Sequence, residues 1–188
     1  MPGSDQAMKN ALAGSLKELL RTRTLERIST EEICRNAKVS RRSFYRHFPD
    51  KYALLDWIYY TDFCMDNEHH DDWVIWDYFP SICEHLYSDR EFYRHAFQTT
   101  GQNSFREFCY GRLYPLLHHD FHGAFESKKE EEFYLKKTTD AMFDDFVRWL
   151  KSEPCMPPDE YADMIRKSIG RFAAILAETS TRPLAGGK

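Results

Sequence analysis

Between Ser29 and Pro49 the chain carries two signals to start a helix and two to end one. In the stretch "ISTEEI", Ser29 stands three residues before Glu32, a capping box in which hydroxyl and carboxylate satisfy the free amides of a helix start. A helix therefore begins near Thr30 and turns Ile33 and Ala37 inward. The segment "NAKVS" breaks the pattern and Ser40 caps a second helix. Pro49 ends that helix early, because it disfavours helical geometry in the residue before it. Helices this short are marginal alone and need a surface to dock on. The run 10–23, with Leu12, Leu16, Leu19 and Leu20 on one face, supplies it.

The outward residues of the same stretch are basic, hydroxylic and aromatic. Glu31 to Leu55 holds Arg35, Lys38, Arg41, Arg42, Arg46 and Lys51, in a chain whose net charge is −4. Residues 1–56 carry 11 Lys and Arg against 7 Asp and Glu, whereas residues 57–188 carry 15 against 23. A local positive field can attract phosphate even when the total is negative. Phe44 and Phe48 face inward, leaving Arg41, Arg42, Ser43, Tyr45 and His47 outward. This is the pattern of a helix-turn-helix whose second helix enters a DNA major groove. Arg41 and Arg42, at its front, can each bond two acceptors of guanine. Ser43, Tyr45, His47 and Lys51 suit phosphate oxygens, helped by free amides at the start of a fourth helix that Asp50 caps.

The remaining chain reads as further helices at about 73–88, 91–99, 104–121 and 130–150, with a last one around Tyr161, Ile165, Phe172 and Leu176. Gly101, Gly111, Pro115 and Gly123 mark joints or kinks, and "STRPLAGGK" reads as a disordered tail. No alternating strand pattern occurs, so the expected fold is all-α, with about nine helices. The domains expected are a three-helix reader over 8–56 and a helical effector-binding and dimerisation bundle over 57–180. Five widely spaced cysteines without a CxxC read as free thiols in a reducing compartment. The start "MPGSDQAMKN" lacks the build of a signal peptide and no apolar run is long enough to span a membrane, so a cytoplasmic protein is expected.

The stretch "ISTEEICRNAKVSRRSFYRHFPDKYALL" resembles the N-terminal helix-turn-helix of the TetR family of bacterial transcription regulators. The matching features are the capping serine, the inner face with Ile33, Cys34 and Ala37, Val39-Ser40, Phe44-Tyr45, His47-Phe48, and Lys51 before Leu54-Leu55. The resemblance implies phosphate contacts for Thr30 and Tyr45, base reading by Arg41, Arg42 and Ser43, and backbone or adjacent-base contacts for His47 and Lys51. Lys38 departs from the family, standing where glycine is usual in the turn, and is available to a phosphate. More loosely, the stretches around 89–113 and 146–160 resemble TetR-like regulators related to the dihydroxyacetone-kinase operon activator.

The rest follows from chemistry and from that resemblance. Aromatic residues with a few polar groups suit an effector pocket, and Trp57, Tyr60, His85, Tyr93, Phe97, Asn103 and Phe105 are the candidates, with Arg94 and Gln102 as further polar groups. The stripes Met142, Phe146, Trp149 and Ile169, Phe172, Ala173, Leu176 could face the internal core; the resemblance implies instead a four-helix homodimer interface. The expected activity is ligand-responsive binding of a palindromic DNA operator, with no reaction, no cofactor and no membrane partner. Control by a protein partner without a small ligand is the alternative. A His/Asp metal protein is a third reading, since "LHHDFH" places His118 and His122 four apart around Asp120 and "EHHDD" offers His69 to Asp72, though neither has a third ligand at a diagnostic spacing.

Overall fold

Each helix start in the basic stretch is set by the side chain expected to set it. In the computed structural model, which describes residues 2–64, 74–99 and 104–180, Ser29 caps one helix and Ser40 the next. The order is α1 (Pro2–Leu20), a 3-10 turn (Leu25–Arg27), α2 (Thr30–Ala37), α3 (Arg41–His47), α4 (Lys51–Cys64), α5 (Ile75–Ser88), α6 (Arg90–Ala96), α7 (Phe105–Asp120), α8 (Lys128–Lys151) and α9 (Pro158–Ser180). The fold is all-α, and no strand occurs among the described residues. None of these helices is long and apolar enough to cross a membrane.

Two boundaries depart from expectation. α1 starts at Pro2 instead of near residue 10 and stops at Leu20. α7 runs unbroken through Gly111 and Pro115. A proline ring crowds the carbonyl four residues back, here that of Gly111, and the helix nevertheless continues to Asp120. Gly123, at φ 76°, makes the turn that follows.

Leu12, Leu16 and Leu20 of α1 are fully buried against Leu25, Ile28, Ile33, Phe44, Phe48 and Leu54, and the Ser15 hydroxyl donates to the Ile33 carbonyl at 2.9 Å. The core continues without interruption into the body. The division expected at 56 and 57 falls inside α4, whose Leu54, Leu55, Ile58 and Tyr59 are all buried in it. Polar bonds reinforce this continuity. Asp62 of α4 accepts from Lys17 Nζ at 2.7 Å and from the Tyr93 hydroxyl at 2.6 Å. Burial pushes the Asp62 pKa up, but the bonds from His85, Lys17 and Tyr93 outweigh it and hold the carboxyl below its ordinary range.

The two stripes expected to form a dimer surface separate. Phe146 and Trp149 of α8, expected to face a twin, are instead buried within the chain, while Met142 is half-buried at the edge of the core. Trp149 stacks on Tyr161 with centroids 4.1 Å apart and donates its Nε1–H to the Met156 carbonyl at 2.9 Å. Phe146 stacks on Phe79 at 5.7 Å. On α9, by contrast, every residue from 166 to 175 is exposed, including Ile169 at 48% and Phe172 at 63%, and Ala173 with them. Leu176 lies on the same helix, but its side chain is outside the described residues.

Candidate nucleic-acid interface

The basic face is built from its caps outward. Ser29 Oγ accepts from the Glu32 amide at 3.2 Å, and Glu32 Oε2 accepts from the Ser29 amide at 2.9 Å. Arg23 bonds the other Glu32 oxygen at 2.8 Å, and this bond, followed by those from Ser29, holds the Glu32 carboxyl down at about 2. The turn then needs a left-handed residue, and Lys38 takes it at φ 55°, ψ 37°. Its side chain is exposed. Ser40 Oγ accepts from the Ser43 amide at 3.1 Å and starts α3, which buries Phe44 and leaves Arg41, Arg42, Tyr45 and Arg46 exposed. The Arg41 guanidinium lies 6.0 Å from the centre of the Tyr45 ring. Thr30 and Ser43 are half-buried at the starts of their helices.

Three expected phosphate donors are engaged elsewhere in the structure. Lys51 Nζ donates to the carbonyls of Leu25 and Ile28, both at 2.8 Å, and approaches that of Glu26 at 3.4 Å. It secures the turn that places Ser29. The His47 ring is largely covered, with Nε2 3.8 Å from Asp5 and 3.4 Å from Arg46 Nη2. At the start of α4, Asp50 accepts from the amides of Tyr52 at 2.9 Å and Ala53 at 2.8 Å, so these are not free for a phosphate. Of the residues expected to contact DNA, Lys38, Arg41, Arg42 and Tyr45 are therefore exposed and without a bond to the chain's own carbonyls, with Thr30 and Ser43 half-buried beside them.

The body holds a cavity of about 190 Å³ lined by Phe63, Tyr78, Ile82, Leu86, Phe105, Phe108, Leu113, Leu116, Phe146 and Arg112 among others. Of the expected pocket residues among those described, only Phe105 lines it. Trp57 packs on Phe48 at 5.9 Å, next to the reader. Tyr93 and Phe97 belong to the core, and the His85 Nε2 lies 3.4 Å from Asp62. Tyr60 is exposed and touches the site only through the Arg112 guanidinium, 5.0 Å from its ring centre. Arg94 sits beside Glu91 and Glu153. Gln102, Asn103 and the 69–72 cluster lie outside the described residues. Arg112 was missed, although residues 105, 108, 109, 112, 113 and 116 follow one another at the spacing of a single helical face. It makes no ion pair among the described residues.

Comparison with known proteins matches this arrangement at both ends. Residues 16–58 match the model of bacterial regulatory proteins of the TetR family, and residues 75–171 match that of a transcriptional regulator C-terminal region of the TetR type. The chain belongs to the TetR family. It is thus a DNA-binding transcriptional regulator, and the family is not one of enzymes. The HTH-type dhaKLM operon transcriptional activator DhaS of Lactococcus lactis subsp. lactis (strain IL1403) is 31% identical over 65 residues, which are 35% of this TetR-family chain and 35% of that protein. The chain thus aligns with about a third of that relative's length. Among solved structures, a dihydroxyacetone kinase operon activator DhaS superposes with a TM-score of 0.64 at 19% identity, over 87% of this chain and 95% of that one. A TetR transcriptional regulator from Streptococcus agalactiae 2603V gives 0.56 at 17% identity, over 87% and 96%. Both likenesses are of fold.

Proposed function

We propose that this regulator binds a near-palindromic operator as a homodimer and that a small, largely apolar effector in the cavity changes its affinity for DNA. One observation carries the reading: a single helix, α4, joins the reader to the cavity. Lys51 at its start holds the turn before α2, and Phe63 near its end lines the cavity wall. A ligand that presses on Phe63 and favours one placement of α4 over another must alter DNA affinity, by the reciprocity of linked equilibria. A coupling of about 1–3 kcal/mol is enough for a switch.

Support for a dimer comes from α9. One short reader helix covers few base pairs, and a two-fold partner doubles them. The exposed Ile169, Phe172 and Ala173 give a second copy an apolar helix to pack on, with Gly170 beside them for close approach. Asp or Glu at Phe172 should yield monomers in light scattering and abolish tight operator binding. The cavity suits an aromatic or aliphatic molecule with an acceptor or anionic group for Arg112. Such a regulator acts in the compartment that holds its DNA.

The test begins with selection of bound sites from a random DNA pool. Fluorescence anisotropy on the selected site, with and without a panel of aromatic and aliphatic carboxylates, then reads the coupling in either direction. DhaS is named as an activator, so the sign of the effect on transcription is read in a reporter strain. A symmetric selected site and a compound that shifts its affinity confirm the proposal. A monomer at micromolar concentration sinks the dimer, and indifference to every compound favours control by a protein partner.

A further inference from the structure

The histidines of "LHHDFH" separate into two uses once the chain is folded. Asp120 Oδ2 accepts from the Ile75 amide at 2.8 Å and so ties the end of α7 to the start of α5. His119 Nδ1 sits 3.5 Å from the other Asp120 oxygen. Neither faces the remaining pair. His118 and His122, one helical turn apart, meet Glu131 from the first turn of α8, and one donor atom from each lies within 4.8 Å of the other two. His118 Nε2 is 3.7 Å from Glu131 Oε1, and the two imidazole centroids are 5.7 Å apart.

We propose that His118, His122 and Glu131 bind a divalent transition-metal ion of the zinc type. The first reason is the state of Glu131. Its Oε1 is shielded from solvent and receives no hydrogen bond among the described residues. A carboxylate oxygen in that condition is costly, and a cation is the partner that relieves it. The second is the donor set. Two imidazole nitrogens and one carboxylate oxygen favour zinc, nickel, copper or cobalt over magnesium or calcium, which prefer oxygen alone. Three protein ligands leave a fourth position for water or an incoming group.

The required adjustment is small. Metal to nitrogen or oxygen distances of about 2.0–2.2 Å put tetrahedral ligands about 3.3 Å apart. The donors must therefore close by about 1.5 Å at most. Both histidines are exposed and can rotate, and His122 lies beyond the last residue of α7, next to the turn made by Gly123. Once bound, the ion joins the end of α7 to the start of α8 across residues 121–127. That junction also carries the packed rings of Phe121, Phe125 and Tyr134.

The experiment uses the full, untagged chain stripped with chelator. Zn2+ is titrated by calorimetry, and Co2+ by visible absorption, which reports the ligands directly. One ion per chain is expected, with Co2+ bands of nitrogen and oxygen ligation and no thiolate charge-transfer band. Loss of an outer-shell partner alone costs about 10–100-fold in affinity, so His118→Ala, His122→Ala and Glu131→Gln should each cost at least that. His119→Ala should bind like wild type. The isosteric Glu131→Gln and the wild-type Co2+ spectrum keep the test sound if a histidine variant folds poorly. Failure to reach one ion per chain, a thiolate band, or wild-type affinity in Glu131→Gln overturns the proposal.

Discussion

Lys51→Met separates the two roles a lysine at this position can have. The unbranched methionine keeps most of the stem but removes every donor, leaving the Leu25 and Ile28 carbonyls without their 2.8 Å partner and the Glu26 carbonyl without its weaker one. A hydrogen bond to a charged group contributes about 1.5–3 kcal/mol net, and Lys51 is only half-buried, so water can replace part of it. The set should therefore cost about 2–3 kcal/mol. For a chain of this size that lowers Tm by about 5–10 °C. Calorimetry without DNA measures this directly. The loosened turn also misplaces Ser29 and with it α2, so affinity should fall for all DNA sequences while the slope of log affinity against log salt stays at the wild-type value. If instead Tm holds within about 1 °C and the salt slope drops by about 1, Lys51 is a phosphate ligand and the reasoning fails.

Lys38→Gly relieves a left-handed lysine, worth about 1–2 kcal/mol, against about 0.5–1 kcal/mol of added unfolded-state entropy, so thermal melts should show a gain of about 0.5–1 kcal/mol. Arg41→Ala and Arg42→Ala should each relax preference at particular base pairs by about 1–3 kcal/mol across a panel of single-base operator variants, whereas Lys38→Ala should lower the salt slope without changing preference. Glu32 and Asp62 both have folded pKa values below their unfolded ones, so the stability they contribute is complete above the ordinary carboxylate range near about 4 and is lost as pH falls, for Glu32 down to about 2. Denaturant midpoints measured over that acid limb should fall less steeply in Asp62→Asn than in the wild type.

The parts of this regulator that were legible in its sequence are those decided within four residues. Ser29 with Glu32, Ser40 with Ser43, and Asp50 with Ala53 are local bonds, and their residue types and spacing identify them before any fold is known. What a side chain meets across the fold was not legible. Phe146 and Trp149 have the spacing of a helix face, but the same stripe serves a twin or the chain's own core, and Tyr161 and Phe79 decide for the core. His85 and Arg112 are equally plausible polar groups for a cavity until the rotation of α5 and α7 is known. Glu131 is nine residues beyond His122, across a turn whose path no local rule sets.

The long-range contacts also show why α4 can serve both halves of the molecule. At one end Lys51 binds carbonyls of the turn between α1 and α2, and at the other Asp62 binds Lys17 of α1 and Tyr93 of α6. α4 is thus tied to the turn after α1 at its start and to α1 itself, through Lys17, near its end. The residue next to Asp62 is Phe63, whose ring lies 5.0 Å from His85 and 5.6 Å from Phe105, among the aromatic residues at the cavity. Pressure on that ring therefore acts beside the bond that couples α4 to the reader's supporting helix. Close-packed interiors respond by shifting between discrete arrangements. In the proposed switch, a displacement at Phe63 passes to α1, and through its buried leucines to α2 and α3, with Arg41 and Arg42 carried along.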